Sequence, residues 1–191
     1  MYQDSLHVPL ILRWPGGPHG LRVAPRVSNI DLGRTLLDLA ALARVAMPGR
    51  SLLPLVEGGA KSAPVFAVAC YGFSASITDG DEHLVLHLRD HNLAPDVKNG
   101  RHAYELFDLA RDPACLHDLI AERPARARAL RAQLVAWLRA VDARPWSRNP
   151  EGNGASIERL EAVGYTAGEE RDPAAALFPA QCDCPQCSGA Q

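Results

Sequence analysis

The segment Met1–Pro15 holds the feature that most constrains the fold, a continuous apolar run with turn-forming residues after it. Val8–Leu12 is apolar at every position, and Pro15-Gly16-Gly17-Pro18 follows it. A short apolar run that ends in Pro and Gly is typical of a strand buried on both faces of a sheet. Such a strand needs neighbouring strands, and we expect them to lie upstream, in a longer protein.

The middle of the chain has the pattern of a small antiparallel sheet. Apolar or alternating runs predict three or four antiparallel strands, from Pro64–Cys70, Ser74–Thr78, Glu82–Leu88 and Ala103–Leu109. Asp79-Gly80 lies between the second and third runs, and this dipeptide is a strong hairpin signal. Because the first run is uniformly apolar, we expect it to be a central strand.

Two further segments have helical spacing. A helix that begins at Ser28 should be well buried, because Leu32, Leu36 and Leu39 recur at helical intervals. Asp31, three residues after Ser28, completes a pattern like a capping box.

The second helix should run over Pro124–Ala143, with Pro at a position that suits a helix start. Leu134 and Trp137 belong to its apolar stripe. Its arginines are predicted to form a solvated, uncommitted face: Arg126, Arg128, Arg131 and Arg139.

Five segments, taken together and in order, resemble the sulfatase family of the alkaline-phosphatase superfamily. Tyr2–Ile11 resembles the family's Y-E-E-S-x-R-V-P-L-I, although Gln3 and His7 depart from it. The other four are Val27–Ala40, which resembles V-S-x-x-D-I-x-P-T-L-L-D-L-A, Gly49–Leu55 (G-x-S-L-L-P-L), Glu105–Pro113 (E-L-Y-D-L-x-x-D-P) and Leu160–Tyr165 (L-x-A-L-G-Y). The chain therefore looks like the C-terminal portion of a sulfatase.

The resemblance implies an α/β fold in three parts. Residues 1–60 would supply a strand and a helix that complete the main sulfatase sheet. Residues 61–145 would form a C-terminal subdomain, a small antiparallel sheet packed on a long helix. Residues 146–191 are rich in Pro, Gly and Ala and should be a largely irregular tail that carries a cysteine cluster.

The function implied for the parent is the hydrolysis of sulfuric esters. Family members oxidise the Cys or Ser of a C/S-x-P-S/A-R motif to form the nucleophile, and they hold a calcium ion. No Cys or Ser of this sequence begins that motif. We therefore assign no catalytic residue and no cofactor to this chain, and we expect it to be inactive alone. His7, Trp14 and His102 are the candidates for contacts on the substrate side.

Two alternatives stay open at this stage. One is a phosphodiesterase or phosphonate hydrolase of the same superfamily, because fold does not settle substrate. The other is a non-catalytic binding or assembly module. If the chain is part of a sulfatase, the sulfate-ester substrate would bind through the missing N-terminal portion.

Charge and hydropathy bear on partners and location. A net charge of −2 favours no nucleic-acid partner, and the sequence has no run of about 18 apolar residues that would predict a membrane partner. No signal peptide is recognisable, so we predict a cytoplasmic location by default.

The cysteine cluster Cys182-Asp183-Cys184-Pro185-Gln186-Cys187 is the sharpest local anomaly. Three thiols could bind a soft metal ion, but structural zinc takes four ligands and no His or fourth Cys lies nearby in the sequence. A disulfide and the absence of any fixed role are the alternatives, and five cysteines leave at least one unpaired. We predict no metal site in this chain and keep Cys182, Cys184 and Cys187 as its weak metal-ligand candidates.

Overall fold

The computed structural model describes residues 2–42, 47–59, 62–69, 72–94, 97–142, 178–184 and 186–187. Its helices are α1 (Gln3–Leu6), α2 (Ile30–Leu39), α3 (Leu53–Val56) and α4 (Pro124–Asp142). Its strands are β1 (Val65–Val68), β2 (Ser74–Asp79), β3 (Glu82–His87), β4 (His91–Ala94), β5 (Val97–Asn99) and β6 (Tyr104–Asp108). None of the helices in these ranges is both long and apolar enough to cross a membrane.

The sheet is antiparallel and has the strand order β1-β2-β3-β6, with β4 and β5 as a separate pair. The predicted hairpin is confirmed: Asp79 pairs with Glu82, and Gly80 turns the chain with a φ of 61°. That left-handed conformation favours glycine because it has no Cβ. The alternation of side chains in β2 and β3 then gives the sheet one apolar and one mixed face.

The apolar face of the sheet packs on α4, as the sequence predicts. Ile77, Leu84, Leu86 and Leu106 from the strands are fully buried in one cluster with helix residues. The helix contributes Ala127, Leu130, Leu134 and Leu138, all at 0% exposure. Their spacing of three or four residues places them on one side of the helix. Burial of each large side chain contributes about 1.5–3 kcal/mol, so this cluster is the main source of stability in the subdomain.

The prediction of an uncommitted arginine face on α4 is wrong for three of its four members. Arg126 donates to Asp79 and Glu82, which flank the hairpin turn, and Arg139 donates to the carbonyl oxygens of Pro179 and Ala180. Arg131 donates to the Sγ of Cys187. Arg128 alone of the four is exposed without such a bond among the described residues.

β1 is an edge strand, so the prediction of a central strand is wrong. Its residues are only half-buried, and Phe66 stacks on Trp137 of α4 with ring centroids 5.0 Å apart. The uniform apolar character of this strand does not come from burial in the middle of the sheet. One face of β1 contacts α4, and the other face lines a groove.

The predicted first strand is not formed within this chain. Residues 7–14 belong to no helix or strand, and Val8 and Ile11 are 53% and 89% exposed. A strand needs a hydrogen-bonding neighbour, and no described strand lies beside this segment. Its place in a larger sheet, like the three-part division of the chain, stays a prediction.

The helix α2 lies where it is predicted, but the expectation that its apolar face is buried is wrong. Its buried residues are Asp31 and Thr35, whereas Leu36 is 55% exposed. Asp31 accepts a bond from the backbone N–H of Ser28, which is the acidic half of the predicted capping box, and one from that of Arg50. Polar contacts therefore hold α2 against residues 50–52. Of its apolar stripe, Leu32 and Leu39 are half-buried and Leu36 is exposed.

The tail is described only in part. Phe178 is buried in the core beside α4, and the described residues from 178 to 187 form no helix or strand. Leu160–Tyr165, which resembles L-x-A-L-G-Y, lies outside the described residues.

Candidate functional site

A groove of about 810 Å³ separates the N-terminal segment from the edge of the sheet. One wall comes from the segment that resembles the sulfatase motif, including His7, and from the loop that follows it, including Trp14 and Arg22. The other wall includes Ser76 and Thr78 of β2, on the face of the sheet opposite α4. The groove is lined by apolar, aromatic, cationic and hydroxyl side chains together, which is typical of ligand sites.

Tyr2 attaches the N-terminal segment to the mixed face of the sheet. Its hydroxyl donates to Oε2 of Glu105 (2.9 Å), and His87 Nε2 lies 3.0 Å from the same oxygen. The ring of Tyr2 packs edge-on against Phe107, with centroids 5.9 Å apart. This arrangement fixes the start of the segment that forms one wall of the groove.

Glu105 is ionised at this anchor. Burial opposes its charge, but hydrogen bonds from His87 and Tyr2 outweigh that cost and hold the pKa of Glu105 below its usual range. Burial and the bond to Glu105 together raise the pKa of Tyr2, so the phenol keeps its proton. A neutral donor and an ionised acceptor form a charge-assisted bond, which is stronger than a neutral one.

A second anchor lies at the far end of the loop. Arg26 donates to the carbonyl oxygen of Gly80 (2.7 Å) and to Oδ1 of Asp81 (2.9 Å), both in the β2–β3 turn. Because Arg26 and Asp81 are both substantially exposed, this contact contributes little stability. It does position the loop over the sheet.

The structure brings together two of the three substrate-side candidates and separates the third. His7 and Trp14 both line the groove. His102 is fully buried in the turn before β6, is not among the residues that line the groove, and faces the cysteine cluster.

His102 is the fourth member of the cysteine cluster, and the sequence analysis missed it. Its Nδ1 lies 3.2 Å from the Sγ of Cys182, 3.3 Å from that of Cys184 and 3.4 Å from that of Cys187. The four ligand atoms all lie within 4.8 Å of one another. His102 and Cys182 are 80 positions apart in the sequence, so local spacing carries no signal for this pairing.

The surroundings of His102 keep its ring neutral at pH 7. Burial, with smaller effects from Arg101 and Arg131, lowers the pKa of His102 to about 4. Its ring packs against Phe178, with centroids 4.4 Å apart. A neutral imidazole has a lone pair on one nitrogen and can act as a metal ligand or hydrogen-bond acceptor.

This cluster is the only one of its kind in the described part of the chain. There, no other group of three or more His, Cys, Asp and Glu side chains is placed to hold a metal ion. The four cysteines of the described ranges, Cys115, Cys182, Cys184 and Cys187, form no disulfide.

Comparison with known proteins identifies the class first. Arylsulfatase K of Danio rerio is 28% identical over 130 residues, which cover 65% of this chain and 24% of that protein. N-acetylglucosamine-6-sulfatase of Homo sapiens is 42% identical over 60 residues, or 30% of this chain and 11% of that protein. The chain thus spans about a quarter or less of these relatives. Together with the fold, this similarity identifies the chain as the C-terminal portion of a sulfatase.

A family model then gives the narrower assignment. The model described as N-sulphoglucosamine sulphohydrolase, C-terminal, matches residues 1–143, so the chain belongs to that family. Among solved structures, Ps i-CgsB aligns with 80% of this chain and 33% of its own, at a TM-score of 0.52 and 22% identity. That likeness supports the fold, and the predicted resemblance to sulfatases is confirmed.

Proposed function

We propose that the chain is the C-terminal part of an enzyme that hydrolyses sulfuric esters and that it forms one wall of the substrate cleft. The observation that carries this proposal is the groove, because the segment that resembles the family motif lines it with His7 and Trp14. The substrate class comes from the relatives, whose names describe them as sulfatases.

The groove has the chemistry that a sulfate ester requires on its binding side. Arg22 is one of the residues that line it, and a guanidinium can donate to sulfate oxygens in a fork geometry. The half-buried indole of Trp14 offers a flat apolar face on which a sugar or aryl ring can pack. Ser76 and Thr78 contribute polar atoms to the opposite wall, where the hydroxyl of Thr78 lies 2.8 Å from Nδ1 of His83.

The reacting groups would come from outside this chain. Sulfate-ester hydrolysis needs an activated nucleophile and positive charge at the sulfate oxygens. The sequence contains no C/S-x-P-S/A-R motif, and Ca²⁺, the ion implied for the parent, takes about six to eight oxygen ligands. We propose that the calcium ligands and the nucleophile lie in the N-terminal portion of the parent. The cytoplasmic location also stays a prediction.

The first experiment is turnover of a chromogenic aryl sulfate by the purified chain, with and without Ca²⁺. We expect no activity from the chain alone. Activity should appear after it is mixed with the N-terminal portion of a sulfatase that carries the nucleophile motif. Turnover by the chain alone would contradict the proposal, and a preference for a phosphodiester analogue would favour the phosphodiesterase or phosphonate hydrolase alternative.

The second experiment tests the groove in the reconstituted enzyme. His7→Ala, Trp14→Ala and Arg22→Ala should each raise KM, because they remove binding contacts rather than reacting groups. Arg128→Ala is the matched control, since Arg128 is exposed on α4 and is not among the groove residues. Unchanged KM in all three groove variants would favour a non-catalytic assembly role for this face.

A further inference from the structure

We propose that His102, Cys182, Cys184 and Cys187 bind one zinc ion in a closed, tetrahedral site that fastens the tail to the sheet and helix. This site lies apart from the groove, and the inference does not depend on sulfate-ester hydrolysis. It reverses the prediction of no metal site, because that prediction required a fourth ligand nearby in the sequence.

The distances fit a shared metal ion. Zinc binds sulfur at about 2.3 Å and imidazole nitrogen at about 2.0–2.1 Å, so a tetrahedral site places these atoms about 3.6 Å apart. The three observed distances from Nδ1 of His102 to sulfur are 3.2, 3.3 and 3.4 Å. The four ligand atoms lie within 4.8 Å of one another, so small shifts of the side chains would bring all of them to one ion.

Hydrogen bonding does not account for this convergence. One imidazole nitrogen either carries a proton and donates it or presents one lone pair and accepts. Three sulfur atoms surround the Nδ1 atom of His102, so at most one of them can form the single hydrogen bond that this nitrogen allows. A disulfide could join only two of the three thiols. A cation with four ligands accounts for all of the atoms at once.

The local chain geometry presents the three sulfur atoms together. Cys184 and Cys187 have two residues between them, which is a common spacing for zinc ligands. The backbone N–H of Cys187 donates to the carbonyl oxygen of Cys184 (2.9 Å), and this turn brings the second thiol back toward the first. Cys182 lies two positions before Cys184 and completes the set.

The opposite ligand is held rigidly by the folded core. His102 has a left-handed φ of 65°, and its backbone N–H donates to the carbonyl oxygen of His87 at the end of β3. That conformation is uncommon for a residue with a Cβ and persists when surrounding contacts fix it. Phe178 covers the ring from the tail side. The core therefore presents Nδ1 in a fixed direction toward the thiols.

A nearby cation balances the charge of the site. Three thiolates, a neutral imidazole and Zn²⁺ carry a net charge of −1. The Nη2 of Arg131 donates to the Sγ of Cys187 (3.2 Å), and its guanidinium lies over the rings of Tyr104 and Phe178. Charged and hydrogen-bonding groups around the ligands commonly orient and tune a metal site in this way.

Four protein ligands fill a tetrahedral site, so the zinc would be structural and not catalytic. Its effect would be to hold the three cysteines of the tail against the folded core, to which His102 belongs. Because His102 is 80 positions from Cys182, the metal would stabilise this arrangement by linking distant parts of the chain.

Elemental analysis of the chain, purified with a thiol reductant and without chelators, tests the proposal. We expect about one zinc ion per chain, as one closed four-ligand site requires. His102→Asn, Cys184→Ser and Cys187→Ser should each reduce the zinc content to near zero. Cys115→Ala is the matched control, because Cys115 is a buried cysteine in a different cluster, and it should retain the metal.

A second measurement separates loss of metal from loss of folding. Titration of the metal-free chain with Co²⁺ should produce the sulfur-to-cobalt charge-transfer absorption of a tetrahedral thiolate site. The band should be weaker in Cys184→Ser while the far-ultraviolet circular dichroism of the sheet and helix is unchanged. A wild-type chain without zinc and without this band would overturn the proposal. Zinc content equal to wild type in all three ligand variants, or a disulfide between two of these thiols, would also overturn it.

Discussion

The first 60 residues and the packed sheet and α4 make opposite use of apolar side chains. In the sheet and α4, Leu84 and Leu134 are at 0% exposure because strands and helix cover each other. In the first region, Ile11 and Leu36 are more than half exposed, and the buried residues of α2 are polar. The sheet and α4 therefore supply each other's packing partners, whereas the N-terminal region has an apolar surface suited to a partner that the described residues do not supply.

The largest difference between the regions should appear on truncation of leucine. Leu134→Ala should destabilise the chain by about 2–5 kcal/mol, because it leaves a cavity in the core. The same change at the exposed Leu36, and Arg128→Ala on α4, should each change stability by about 0.5 kcal/mol or less. Thermal and urea unfolding measure these effects. Similar losses at Leu134 and Leu36 would mean that the two regions do not differ.

A smaller effect is expected at the contact that joins the regions. Tyr2→Phe keeps the ring against Phe107 but removes the bond to ionised Glu105, which should lower stability by about 1.5–3 kcal/mol. Urea unfolding followed by tryptophan fluorescence would report it. A variant as stable as the wild type would show that Tyr2 does not anchor the N-terminal segment.

The same anchor should make stability depend on pH. A carboxylate whose pKa is lowered by folding contributes stability above its unfolded value and loses it as the pH falls through the folded value. The contribution of Glu105 should therefore be present at pH 7 and decline below about pH 4.5, its ordinary value. Glu105→Gln should be less stable at pH 7 and lose less stability between pH 5 and pH 3. Parallel stability curves for the two proteins would contradict this role.

The smallest effect on stability should come from the exposed run. Ile11→Ser should leave the melting temperature almost unchanged, because the side chain is 89% exposed. It should reduce binding of a dye that fluoresces on apolar surfaces and slow aggregation. Ile77→Ser, at a fully buried position of β2, is the contrasting variant and should unfold the sheet. Weak dye binding by the wild-type chain would favour an independent module over a part of a larger fold.

The sequence predicts the parts of the fold whose signals are local. The Asp-Gly turn and its flanking alternation identify the β2–β3 hairpin, and regular apolar spacing identifies α4. Burial is less predictable, because an apolar pattern does not show which other element of the fold will cover it. The apolar pattern of α2 therefore leads to the wrong buried face, and that of β1 leads to a central strand where the fold places an edge.

The candidate sites divide in the same way. His7 and Trp14 are accessible to sequence analysis because they lie in or beside a segment that resembles a family motif. The partnership of His102 with the cysteines is not accessible, because the turn before β6 and the tail are brought together by packing around Phe178 and α4. Sequence-spacing rules detect metal ligands that lie in one segment. In the proposed zinc site, the cysteines lie in the tail and His102 lies in a different segment.

Hydrogen exchange of individual segments tests the contrast between the two regions most directly. In the chain alone, we predict slow exchange in β2, β3 and β6 and rapid exchange over residues 7–14, which have no strand partner among the described residues. Addition of the N-terminal portion of a sulfatase should slow exchange in residues 7–14 and leave β2 and β3 unchanged. Slow exchange of residues 7–14 in the chain alone, or no change there in a mixture that turns over aryl sulfate, would contradict the view that this region is completed by the rest of a sulfatase.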